Sequence, residues 1–306
     1  WHGWCHLDDA RMATVDSTLF DGYIQGPSTL TSFKPGDNVP GLNSGGWHDA
    51  GDFDLRVESQ AETVQGLALA YEEFKVNYDN TTIDQKNKLV EIQVPDNKPD
   101  LLQQMEHGLL SIIGGYRSMG RLYRGIIEPT KRQYVMLGDP INLTDNVPFK
   151  MGTTSSVPEV GLPGSADDRW VYTEDNPGRE LNVAACLATA ARVIKGYNDT
   201  LAAQSLEIAE ALWNNTKEKN VMARVEPAVE LLLTTGNKIY ADFLVNHTKD
   251  IAENFESSGY VVGKSLAAID NREYKEAVSA AAKKYYGKIV EPGKKTPYAV
   301  PYEPNI

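Results

Sequence analysis

Apolar residues recur at helical spacing along most of the chain beyond residue 60, and before it they do not. Val64, Leu67, Ala68 and Tyr71 stand at i, i+3, i+4 and i+7, the stripe of an amphipathic helix. Leu102, Met105, Leu109, Ile112, Ile113 and Tyr116 repeat the pattern. There Asp100, after Pro99, is the expected N-cap, and Gly114-Gly115 is expected to weaken or end the helix. Helices are also predicted over the alanine-rich stretch 180–194, over 201–213, and at 223–233, 239–244, 249–255 and 274–285. Residues 1–60 are rich in Gly, Pro, Asp and Ser and read as an irregular, loop-built surface. Loop character returns over 125–178, which carries Pro129, Pro140, Pro148, Pro158, Pro163 and Pro177. A structureless connection of that length is uncommon unless it carries function or holds short strands. The tail, 291–306, contains four prolines and is predicted to be extended.

No segment alternates strand with helix, which argues against a doubly wound α/β fold. Successive helices joined by short turns predict αα-hairpins, arranged as a bundle, a solenoid or a closed toroid. The absence of a strict repeat counts against a consensus solenoid. The expected architecture is all-α, a toroid of non-identical hairpins whose long loops build a cleft at one end.

A hydrophobic content of 41% and a charged content of 24% over 306 residues are those of a globular protein. The net charge of -12 argues against nucleic acid or an anionic membrane as partner and is compatible with a neutral polysaccharide. No apolar run is long enough to cross a bilayer. The chain opens on Trp1 with no signal region and reads as a processed or trimmed product. Cys5 and Cys186 permit at most one disulfide, and five N-x-Ser/Thr sequons (Asn80, Asn142, Asn198, Asn214, Asn246) would matter only in a eukaryotic secretory protein.

The most informative run is Gly45-Gly46-Trp47-His48-Asp49-Ala50-Gly51-Asp52-Phe53-Asp54. Two carboxylates stand three residues apart, separated by small side chains and preceded by a double glycine and an aromatic. Small residues let the backbone turn tightly and a large ligand come close. In helical or near-helical geometry the i, i+3 spacing would put Asp49 and Asp52 on one side. Neighbouring carboxylates at an open surface repel each other, yet suit the binding and deprotonation of water. An acidic turn or half of a calcium loop is the plainer alternative.

This run resembles the Gly-Gly-Trp-(Tyr/His)-Asp-Ala-Gly-Asp signature of glycoside hydrolase family 9, the inverting cellulase-type enzymes with an (α/α)6 barrel. The resemblance extends to Cys5-His6-Leu7-Asp8-Asp9-Ala10-Arg11, Gly125-Ile126-Ile127-Glu128-Pro129, Leu137-Gly138-Asp139-Pro140 and Asp167-Asp168-Arg169-Trp170-Val171, the last three as in Bacteroides-like members. It implies that Asp52 is the general base and that Asp49 helps hold the water. It also implies a general-acid Glu and a His-containing segment further downstream, and neither is found here. Glu291 and Glu303 lie in the tail without the surroundings of the family's acid. The expectation is therefore a single partial catalytic domain, 1–306, lacking the closing helices of the barrel and the β-sandwich domain that often precedes it.

The chemistry requires no cofactor. In some members a Cys-His pair and the signature His join a further Cys around structural zinc, which makes Cys5, His6 and His48 candidate ligands, with a fourth position before Trp1. A buried thiol and two hydrogen-bonded histidines are the alternative. Calcium is common in the family, but no stretch maps onto a calcium site. Trp47, Trp170 and Tyr172 are candidate sugar platforms, since pyranose C–H faces pack on flat rings. Plain packing is an equal alternative for each. Trp213, on a helical stripe, is expected in the core, and Asp167-Asp168-Arg169 reads as a salt-bridged loop.

The resemblance thus implies cleavage of β-1,4-linked glucans (cellulose-like, mixed-linkage or xyloglucan) by a bacterial protein that is secreted, periplasmic or at the cell surface. Two other classes stand beside it. One is a non-catalytic glucan-binding remnant without the acid. The other is a helical scaffold unrelated to sugars, which leaves the signature turn unexplained.

Overall fold

The computed structural model describes residues 9–13, 19–20, 23–24, 31–49, 54–84, 86–87, 89–127, 169–296 and 299. Helices dominate: α1 (Val57–Phe74), α2 (Asp100–Met119), α3 (Pro177–Ile194), α4 (Asp199–Asn215), α5 (Val225–Thr235), α6 (Lys238–Asn246), α7 (Thr248–Glu253), α8 (Phe255–Ser265) and α9 (Arg272–Gly293). Helices α1, α3, α5 and α8 pack side by side in that order as one layer. Each is followed by a partner in a second layer, formed by α2, α4, α6 with α7, and α9. Among the described residues these are four successive αα-hairpins in the double-layered order expected of an (α/α)6 barrel.

Composition explains why α3 sits deepest. Ala184, Ala185, Ala188, Ala190 and Ala191 are buried and carry no bulk, so α1, α4 and α5 all close onto this one helix. Its start is fixed by Asn176, whose side chain accepts the Arg179 N–H at 3.1 Å, with Pro177 in the first turn. Asparagines cap α4, α6 and α9 in the same manner through Asn198, Asn237 and Asn271. Trp213 is buried in the core, as expected, edge-on to Tyr240 and Phe243.

Several expectations need correction. Asp100 is the first residue of α2 and does not cap it; its carboxylate accepts the N–H groups of Asn80 and Thr81, which pins the preceding segment to the helix. Gly114-Gly115 does not end α2, which runs on to Met119. A Cβ on Gly114 would stand 2.5 Å from the Gly41 carbonyl oxygen, so the glycine serves close approach. Helix α8 and the hairpin β5–β6 (Thr81–Asp84 and Leu89–Ile92) were not anticipated. Helix α9 takes Glu291 and Pro292 into its last turn, and Glu291 is exposed and paired with Lys294.

The loops of the first half and of the middle meet in a small sheet. Its order is β1 (Arg11–Met12), β8 (Trp170–Thr173), β7 (Tyr123–Ile127) and β4 (Leu55–Arg56), with a parallel β1–β8 pair and antiparallel pairs elsewhere. A separate two-stranded hairpin joins β2 (Leu19–Phe20) to β3 (Tyr23–Ile24). Strand β4 runs straight into α1, so the sheet holds the N-terminal end of α1, where the signature run ends.

Candidate active site

The double glycine is dictated by geometry. Gly45 and Gly46 have φ of +73° and +86°, in the left-handed region. A Cβ on Gly45 would lie 2.1 Å from the His107 carbonyl oxygen, so nothing larger fits against α2. The turn is bonded to that helix twice. The Gly46 N–H donates to the His107 carbonyl at 3.0 Å, and His107 Nε2 meets the Gly46 carbonyl at 2.8 Å. Burial pushes the His107 pKa below its ordinary value, against the opposing pull of the Gly46 carbonyl.

Trp47 continues the anchoring. Its N–H donates to Gln60 Oε1 and its carbonyl accepts from Gln60 Nε2, both at 2.7 Å. The indole N–H donates to Gln104 Oε1 at 3.1 Å, and the ring lies where a side chain on Gly108 would be, edge-on to His107. Trp47 is therefore half-buried against α2.

Asp49 follows in an antiparallel bridge with Asp54, its N–H donating to the Asp54 carbonyl at 2.7 Å. Asp49 itself pairs as in a strand, and the turn to which the i, i+3 expectation applies lies beyond it, outside the described residues. The bridge closes the base of a segment of four residues, Ala50 to Phe53, which with its Asp52 lies outside the described residues. The Asp49 side chain is 33% exposed. Its Oδ2 accepts from Ser59 Oγ at 2.7 Å and stands 3.9 Å from Arg56 Nε. The same guanidinium reaches Asp54 Oδ2 at 3.4 Å, and Asp54 is fully buried.

Behind this turn lies a cluster that sequence reasoning missed. Glu58 Oε1 receives both Arg124 and, at 2.6 Å, Arg179. Arg179 also pairs with Glu174, and Arg121 donates to the Glu174 carbonyl. Burial raises the Glu174 pKa, while Arg179 and Arg124 pull it down. The network ties the first turns of α1 and α3 to β7 and to Glu174, the residue that follows β8. No motif signals it, because each charge in isolation reads as surface.

The remaining candidates are placed as follows. Trp170 and Tyr172 lie on β8, not in a loop, and are 9% and 7% exposed in a small apolar cluster with Ala13 and Ile127. Of the zinc candidates, His48 is half-buried beside Asp49, and Cys5 and His6 lie outside the described residues. No group of three or more metal-binding side chains exists among the described residues. The acidic loop before α2 does not offer a calcium shell either, since Asp79, Asp96 and Asp100 accept backbone N–H groups of their own loop. Cys186 is a buried free thiol.

The chain matches the profile of glycosyl hydrolase family 9 over residues 1–291. No curated protein sequence is significantly similar to it. Its fold is similar to that of a zinc-binding triple mutant of a family 9 endoglucanase, with a TM-score of 0.63 and 18% identity, covering 99% of this chain and 54% of that one. A family 9 protein of Bacteroides ovatus matches at a TM-score of 0.57 and 18% identity, over 98% of this chain and 54% of that one. The protein AaCel9A, solved with a cellobiose-like isofagomine, matches at 0.59 and 15% identity, over 96% and 55%. The chain thus spans about half the length of the solved relatives it matches. With the paired helical layers and the glycine-anchored turn in place, the family match over 1–291 decides the identity: the chain belongs to glycosyl hydrolase family 9, and its helices form part of an (α/α)6 barrel.

Proposed function

We propose that this protein hydrolyses β-1,4-glucosidic bonds of a glucan by single-displacement inversion, as an endoglucanase-type glycoside hydrolase with 1–306 belonging to one catalytic domain. The observation that carries this reading is the anchored turn. Its two glycines, His107 and Gln60 set Trp47 and Asp49 at the N-terminal end of α1, with the Asp49 carboxylate part-exposed and held by Ser59 and Arg56. Asp52, three residues on, acts as the general base. An ionised aspartate on the face opposite the leaving group takes a proton from water as the water attacks the anomeric carbon. Asp49 accepts the second hydrogen of that water and fixes its orientation. A general acid protonates the departing glycosidic oxygen from the other side. Among the described residues Glu58 and Glu174 are committed to arginines and are not offered for that role.

Trp47, Trp170 and Tyr172 are the proposed sugar contacts; the anchoring of Trp47 favours it over the two buried residues of β8. No metal enters the chemistry. Zinc at Cys5, His6 and His48, if bound, is structural. The substrate is a neutral β-glucan, consistent with the net charge of -12. The proposed location is outside the cytoplasm, and no helix among the described residues is long and apolar enough to cross a membrane. A β-sandwich accessory domain is the proposed companion within the full-length protein. NMR of the first product formed by the full-length protein from a soluble β-glucan tests the reading: the α-anomer is expected, and the β-anomer overturns inversion. Binding of glucan without turnover by the full-length protein would instead favour a carbohydrate-binding protein.

A further inference from the structure

We propose that Ser59, together with Arg56, is a positioning residue that locks the Asp49 carboxylate so that one oxygen alone faces the attacking water. This inference rests on the hydrolase reading and deepens it. Both side chains act on the same atom: Ser59 Oγ donates to Asp49 Oδ2 at 2.7 Å, and Arg56 Nε stands 3.9 Å from that oxygen. Among the described residues nothing bonds to Oδ1, so this oxygen is left to accept from a ligand at the part-exposed surface. The clamp is rigidly based. Ser59 sits in the first turn of α1, and Arg56 ends β4, which pairs with β7. Arg56 also holds Asp54 Oδ2 at 3.4 Å, so one guanidinium ties both ends of the short segment that carries Asp52.

A carboxylate on a single-bonded Cβ rotates freely unless one oxygen is fixed, and a water bound to a rotating acceptor loses its line of attack. Fixing Oδ2 converts Asp49 from a diffuse negative charge into an aimed acceptor. The effect belongs to the chemical step and leaves glucan binding alone, since neither Ser59 nor Arg56 need touch sugar.

The test is a kinetic comparison of Ser59→Ala, Ser59→Thr, Asp49→Asn and the double variant Asp49→Asn/Ser59→Ala in the full-length protein on a soluble β-glucan. Ser59→Ala should lower kcat roughly tenfold, the loss of one hydrogen bond to a charged group, with KM unchanged. Ser59→Thr, which keeps the hydroxyl, should restore it, and thermal midpoints should not follow kcat. In the Asp49→Asn background the Ser59→Ala change should cost little more, because both act through one carboxylate. If Asp49→Asn slows the enzyme and Ser59→Ala does not, or if Ser59→Ala raises KM or lowers the midpoint in step with activity, the positioning role is overturned and the hydrolase reading stands. If Asp49→Asn keeps full activity, the parent assignment of Asp49 fails instead.

Discussion

His107 shows how one side chain two turns into α2 governs a turn more than fifty residues upstream. Its imidazole and its own carbonyl grip both polar groups of Gly46, and burial holds its pKa below the ordinary 6.5. Between that value and the lower folded one, the unfolded chain binds a proton that the folded chain does not. Stability from this residue is therefore complete above about pH 6.5 and declines as pH falls through the window beneath it. His107→Gln keeps an N–H for the Gly46 carbonyl and removes the titration. Urea midpoints measured from pH 7 to 5 should fall less steeply in His107→Gln than in the parent; identical slopes would refute the assignment. At this scale the motif was readable from sequence and its supports were not. Gly45-Gly46 and the aspartates form one contiguous run, whereas Gln60, Gln104 and His107 are ordinary helical polar residues that only the packing of α1 and α2 brings to it.

At the scale of elements, the first layer of helices is stitched by charge as well as by apolar contact. Arg192 of α3 makes a paired bond to Glu72 of α1, at 2.7 and 2.9 Å, and reaches Glu230 of α5 at 2.9 Å. Lys264 of α8 completes the chain on Glu230, which is 1% exposed. Removing one partner leaves a buried charge under-compensated, so Arg192→Met should destabilise the fold by about 3 kcal/mol, near the lower end of the range for broken buried pairs. Adding Glu230→Met should recover part of that loss, measured by urea unfolding; a cost under about 0.5 kcal/mol for Arg192→Met would mean the network is idle. The apolar stripes of α1, α2 and α4 were plain in the sequence because each of these helices buries one face, and α3, buried almost all round, was readable from its run of alanines. Helix α8 was hidden because its one buried apolar pair, Val261 and Val262, is flanked by Ser257, Ser258, Gly259 and Gly263 and repeats at no helical spacing within the helix. The sheet was hidden because strands of two to five residues carry too little period to read, and β7 and β8 lie far apart along the chain.

For the whole molecule, the paired layers explain why the candidate site gathers where it does. Helices α1 and α3 start at one end of the first layer, and the sheet, the glycine turn and the arginine–glutamate cluster all lie at those starts. A helix N-terminus favours negative charge, which suits a site built around aspartates. The all-α class followed from helical spacing, and the family resemblance from the ten-residue run together with four shorter segments along the chain. The proposed general base is Asp52, three residues after Asp49 in the chain. Reducing-sugar release from soluble β-glucan by the full-length protein and by Asp52→Asn tests it most directly. A loss on the order of 10²–10⁴-fold in the variant is the predicted result; equal rates from the two proteins would contradict it.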